Sequence, residues 1–255
     1  MSAAALTAVP AEGRDVRPGL GRLTLVELRK MIDTRAGFWL QLAIAALTIF
    51  VVVAIAIWAD PEDQTFEMVL SSAIQPASIL GPVVGVLLVS SEWSQRTAQI
   101  TFGLVPLRGR VIAAKLLAGL SWCVVAFALS VAASAVSAAV AGADGAWDVT
   151  AALLFQDIVY MVISVVGGIA FGAALLASAP AIVLYFVLPI AWAFAGNLSF
   201  LKGAAGWLDS SRTTDTMTFE VLSGEEWARV ATTVALWVIV PLLIGLWRIL
   251  KGEVR

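Results

Sequence analysis

The chain contains no histidine and a single cysteine, Cys123. Without histidine, the commonest metal ligand and the commonest general base are both missing. One cysteine excludes any disulfide within the chain, and its place inside an apolar run reads as a small residue facing core or lipid. Charge is scarce as well. Asp, Glu, Lys and Arg make up 13% of the residues, about half of what a soluble domain carries. The 16 basic and 18 acidic residues nearly cancel, which gives no reason to expect a nucleic-acid partner. There is no G-x-x-x-x-G-K-[ST] phosphate loop, no nucleophile elbow and no metal-ligand cluster. No residue is therefore assigned a catalytic or metal-binding role.

Apolar sequence is what the chain has in abundance, at 60% of its residues. A membrane-spanning helix needs about 20 predominantly apolar residues. Six runs qualify: 38–59, 69–90, 111–141, 149–177, 181–196 and 229–250. The third is long enough to tilt or to protrude. The expected fold class is an all-α integral membrane protein, a single six-span domain over residues 21–255. A disordered Ala-rich tail is expected over residues 1–20. Mostly polar sequence precedes the first run, which is too long for a signal-peptide core and so reads as a retained span.

Lysine and arginine set the orientation. With the N-terminus inside and six alternating spans, all but Lys202, Arg212 and Arg229 of the 16 basic residues fall in inner segments. The outer segments are acidic instead. Both termini are expected in the cytoplasm, and the Ala-rich, Trp-rich composition suggests a bacterial plasma membrane. The inner turn near "ASAPA" is almost absent.

Three pieces outside the spans carry pattern. Residues 23–35 place Leu25, Leu28 and Ile32 on one helical face, with Glu27, Lys30 and Asp33 away from it. Thr24 and Glu27 have the spacing of a capping box. A basic amphipathic helix next to a span is expected to lie in the inner membrane interface. The loop at 91–110 crowds Glu92, Arg96, Arg108 and Arg110 between two apolar runs, with Lys115 close enough to the inner surface to snorkel. Its first part, "SSEWSQRTAQITFGLV", can continue as a helix out of the second span until Pro106 breaks it. Such a helix, held at both ends, can pass a push into the membrane; the plainer alternative is a positive-inside anchor. The outer segment 197–228 is too polar to span and too apolar to be a free linker. It reads either as a packed loop or as short helices dipping back toward the bilayer.

Asp157 is the one clear charge within a span, a functional candidate by default unless it reaches outer water. Gln41 and Gln75 join it as candidates for a translocation path. Small residues crowd the third span ("ALSVAASAVSAAVAG") and the fourth ("GGIAFGAALLASA"), which predicts close helix packing within the subunit or across a dimer.

Glu92, Arg96, Thr97, a hydrophobic stretch, Pro106, Arg108 and then Lys115 at the next span together resemble the type-2 permease family of ABC exporters. The similarity of layout runs from about Leu23 to the end. It implies that residues 23–35 are the elbow helix, supported by Glu27, Arg29, Lys30 and Arg35. It implies that 91–110 holds a coupling helix contacting a separate ATPase, present in two copies, through Glu92, Arg96, Thr97, Pro106, Arg108 and Lys115. ATP and magnesium would belong to that partner, with no cofactor in this chain. A second permease, identical or different, would complete the transport path in the bilayer. The expected function is thus the permease subunit of an ATP-driven exporter, without catalytic chemistry of its own. The competing readings are an ion-gradient-driven transporter or channel centred on Asp157, and a sensor or scaffold subunit that transports nothing.

Overall fold

The computed structural model describes residues 18–95, 97–104, 107–142, 145–196, 198, 202–218 and 220–251. The expected tail falls almost wholly outside them. The described residues are helical, and six helical stretches are long and apolar enough to cross a membrane. They are Arg35–Trp58, Phe66–Ser94, Arg108–Ala141, Ala151–Leu175, Ser178–Ala195 and Gly224–Lys251, each matching one expected run to within a few residues. This is a multi-pass membrane fold.

Helix α1 (Leu20–Asp33) precedes the first span, α2 (Arg35–Trp58). It starts one turn earlier than expected, at Gly19, so Thr24 lies inside it. The Thr24 hydroxyl donates to the Leu20 carbonyl, 3.0 Å away, and Glu27 is buried. The expected capping box is therefore not formed. The structure shows which way the two faces of α1 turn. Leu25 and Ile32 point outward, 49% and 58% exposed, whereas Glu27 and Met31 turn inward. In lipid the outward surface is the apolar one, and polar groups gain by meeting partners inside the bundle.

The second span is two helices, α3 (Phe66–Ala73) and α4 (Gln75–Ser94), interrupted at Ile74. Pro76, in the first turn of α4, tolerates that position because the amide it lacks has no helical partner there. The Ala73 carbonyl at the break accepts from the Thr48 and Ser130 hydroxyls, both at 3.4 Å. That is how an interrupted helix stays satisfied where no water reaches it.

After α4 the chain turns at Gln95 and forms a separate short helix, α5 (Ala98–Leu104). The expected continuous helix through this stretch is thus broken. The Thr97 amide donates to the Glu92 carbonyl at 2.8 Å, and the Thr97 carbonyl accepts from Ile100. Thr97, of modest helix propensity, also brings its hydroxyl to the Glu92 carbonyl at 3.4 Å, competing for the backbone there. The third span, α6 (Arg108–Ala141), has 34 residues and is about 51 Å long at 1.5 Å per residue, so it protrudes beyond the hydrocarbon layer. The fourth and fifth spans, α7 (Ala151–Leu175) and α8 (Ser178–Ala195), are joined by a two-residue turn with Leu176 in the left-handed region at φ 55°.

The segment after α8 contains α9 (Lys202–Leu208), α10 (Ser210–Asp215) and a tight turn at Thr216–Thr218. The sixth span is α11 (Gly224–Val234), a wide π turn at Ala235–Ile239 and α12 (Val240–Lys251). Pro241 follows the wide turn directly. It has no amide to offer the Trp237 carbonyl four residues earlier, and a π turn is a common accommodation of such a defect.

The second and fourth spans form the centre. Most of the second is buried (67%), whereas the fifth is almost wholly on the rim (6%). Lipid provides no hydrophobic drive between helices, so close contact of small residues must hold the centre. A Cβ on Gly168 of α7 would collide with the backbone of Pro82 in α4, and one on Gly85 with Val165 and Ile169. The fourth span's small residues are thus spent inside the subunit. In the third span Ser130, Ser134 and Ala138 are buried while Val136 and Val140 face outward. Cys123 is buried in the same core.

Candidate functional site

Four ionisable side chains from three separate elements meet at the bundle end that carries α1. Glu27 and Lys30 lie one turn apart on α1, Glu92 is in the last turns of α4, and Lys115 is in the second turn of α6. Lys30 Nζ lies 2.7 Å from Glu27 Oε1 and 2.7 Å from Glu92 Oε1. Lys115 Nζ lies 2.7 Å from Glu27 Oε2 and 3.3 Å from Glu92 Oε1, and donates to the Leu88 carbonyl at 2.9 Å. The Glu27, Glu92 and Lys115 side chains are buried; Lys30 is the member with a path to solvent.

Two positive and two negative charges cancel within the cluster. Buried charge is tolerated when it is paired and hydrogen-bonded in this way. Burial works against the charge on Lys30, but hydrogen bonds and attraction from Glu27 and Glu92 outweigh it and hold its ammonium above the ordinary value. Glu27 uses both oxygens. Glu92 uses one, and among the described residues its buried Oε2 has no hydrogen-bond partner, so within the cluster Glu92 is the less fully held carboxylate. Lys115 does not reach for the surface as expected. At 2% exposure it is the inner pivot of the cluster, because two carboxylates and a carbonyl offer it more than the interface would.

Short helix α5 is fastened beside this cluster. Phe102 packs edge-on against Trp93 of α4 at 5.7 Å. The Arg108 guanidinium lies over the other ring in that contact, 5.2 Å from the Phe102 centroid, and donates to the Ile249 carbonyl at 2.8 Å. Through Phe102 and Arg108, α5 is tied to the ends of α4, α6 and α12. A cavity of about 370 Å³ opens between the cluster and α5, with Gln41, Glu92, Thr97 and Ile100 in its wall.

Glu27, Lys30, Glu92 and Lys115 thus come together, with Thr97 and Arg108 alongside. Arg29 and Arg35 are exposed. Arg96 and Pro106 lie outside the described residues. The three path candidates are dispersed. Gln41 accepts from Trp122 Nε1 at 2.7 Å near the α1 end, Gln75 is half-buried at the start of α4, and Asp157 is buried in the second turn of α7. No hydrogen-bond partner reaches Asp157 Oδ1 among the described residues.

Gln156, beside Asp157, escaped the sequence reading. Its Nε2 donates to the Met217 and Glu220 carbonyls at 2.9 and 2.7 Å, and its Oε1 accepts from the Leu222 amide at 2.9 Å. It fastens the segment after α8 to the fourth span. An amide in an apolar run was the available signal, overshadowed by the charge next to it.

No family model matches the chain, and no curated protein matches it.

Proposed function

We propose that this chain is the permease subunit of an ATP-driven exporter, coupled to a separate ATPase at the bundle end that carries α1, α5 and the charged cluster. The observation that carries the reading is the cluster itself. It joins α1, the exit of the second span and the entry of the third into one unit directly beside a short helix with an outward face. A displacement of α5 would be transmitted to two spans at once, since rigid elements joined by buried ion pairs move together or not at all. In this reading α1 is the elbow helix, α5 the coupling helix, and Glu92 and Lys115 the link between them. ATP and magnesium are held by the partner, and no residue of this chain is assigned to them. The α1 end faces the cytoplasm, and a second permease, identical or different, completes the path.

The test is a pull-down of the tagged chain from its native membranes in mild detergent, followed by an ATPase assay. A stoichiometric nucleotide-binding partner with vanadate-sensitive hydrolysis is expected. Glu92→Lys sets three ammonium groups against one carboxylate and is expected to abolish transport-coupled hydrolysis while the chain still inserts. Full transport by that variant would defeat the coupling assignment.

One observation favours a second reading, an ion-gradient-driven carrier: the unpartnered, buried Asp157 Oδ1. That reading requires reconstituted chain alone to move solute along a proton or sodium gradient, and Asp157→Asn to stop it.

A further inference from the structure

A second cavity, of about 270 Å³, lies away from the charged cluster, between α4, α7, α8 and the sixth span, with α10 at one side. Three defects in helical backbone converge on it. Pro82 lies inside α4, Pro189 inside α8 and Pro241 just beyond the π turn. A proline within a helix withdraws the amide owed to the carbonyl four residues earlier. Those earlier residues are Ser78, Tyr185 and Trp237, and all three line this cavity. Three independent helices have thus lost a backbone donor beside the same space.

The side chains agree in kind. Both tyrosines of the chain, Tyr160 and Tyr185, are in the wall, with Ser78, Ser164, Thr214 and Thr233. Ser78 is buried, 3% exposed, and among the described residues its Oγ has no hydrogen-bond partner. Apart from Ser210 the remaining wall is aromatic and aliphatic, and among the described residues no Asp, Glu, Lys or Arg contributes to it. One mouth is covered by the segment after α8. Trp237 Nε1 donates to the Leu208 carbonyl at 2.8 Å, and the Thr233 hydroxyl donates to the Trp207 carbonyl at 3.1 Å. The cover is therefore hydrogen-bonded to the π turn and the turn before it.

We infer that this cavity is a binding site for an uncharged amphipathic molecule that presents an O–H or amide N–H donor on an aromatic or aliphatic body. A charged ligand would have to shed its hydration with no counter-charge in the wall, which is prohibitive at this depth. A pure hydrocarbon would leave the buried Ser78 hydroxyl unmet, at the full desolvation cost of that group. Size agrees: the volume is at the lower end of small-molecule pockets, roughly 300–1,000 Å³. Calling the occupant cargo rests on the permease reading; binding does not.

The test uses the purified full chain without any ATPase, so it stands or falls apart from the coupling assignment. The probe is a trifluoromethyl-diazirinyl benzyl alcohol, compared with the benzylammonium and benzoate of the same skeleton. Expected is saturable photolabelling of the peptides holding Tyr185 and Trp237 by the alcohol, with at least tenfold weaker labelling by either ion. Ser78→Ala should weaken half-saturation severalfold. Thr214→Phe, which fills the cavity from the covering helix, should abolish labelling while thermal unfolding stays cooperative. Labelling that never saturates and spreads over the exposed faces of α2 and α8 would overturn the site. Equal labelling by the ions would overturn its chemistry.

Discussion

Lys115 donates to both carboxylate-bearing residues of the cluster and to the Leu88 carbonyl. Lys115→Met therefore leaves two buried carboxylates with only Lys30 between them. Removing one partner of a buried pair costs about 3–5 kcal/mol, and the expected outcome is a large drop in thermal unfolding temperature in detergent. Glu92→Gln should cost much less, because Glu92 engages through one oxygen. Lys30 differs in its pH behaviour. Its folded-state pKa is raised above the ordinary 10.5, so its stabilising contribution is fully present below that value and is lost as pH rises through the raised folded value. The stability difference between wild type and Lys30→Met should thus stay constant from pH 6 to 9 and shrink only in strong alkali. Each of the four charges was legible in the sequence as polar residues beside apolar runs. Their pairing was not, because Glu27 and Lys115 are 88 positions apart and nothing local couples them.

Helices α4 and α7 approach through glycine, and that closeness makes a test. Gly168→Val would drive a branched side chain into the Pro82 backbone, and overpacking of this kind costs about 1–3 kcal/mol where the neighbour can yield. Backbone yields least, so the expected result is a value at or beyond the top of that range, or loss of folded protein. Gly109→Val, with open space around it, should be at least as stable as wild type, since valine has the higher helix propensity. The density of small residues announced close packing, but not which helix would fill the groove. The break at Ile74 and the direction in which α1 turns Glu27 were also hidden. Both are choices about where a polar group finds its partner, and the partners (Ser130, Lys115) sit on another helix. The π turn had a local cause in Pro241, and its accommodation depended on the neighbours of the sixth span.

For the whole molecule, α1, α5 and Lys251 belong to one end, and the Phe66–Ala146 contact and the segment after α8 to the other. The proposed orientation, from the excess of lysine and arginine at the first end, puts that end in the cytoplasm. Single cysteines test this against a buried Cys123 that a membrane-impermeant maleimide should not reach. Asp63→Cys should label in intact cells, and Arg29→Cys only after permeabilisation. The opposite pattern would invert the topology and remove α5 from the reach of any cytoplasmic ATPase.

The sequence was enough to place six runs long and apolar enough to cross a membrane, and nearly where they begin and end. Span formation is a local balance of apolar length against the cost of unsatisfied backbone in lipid, and each run carries that balance alone. It also marked the stretches before the first span and after the second as polar enough to matter. Folding in three dimensions was needed to bring Glu27, Lys30, Glu92 and Lys115 into one neutral cluster, to set Gln156 against the segment after α8, and to gather three proline defects beside one cavity. In lipid a polar side chain has no water to settle for, so its place is fixed by whichever distant helix supplies the matching group.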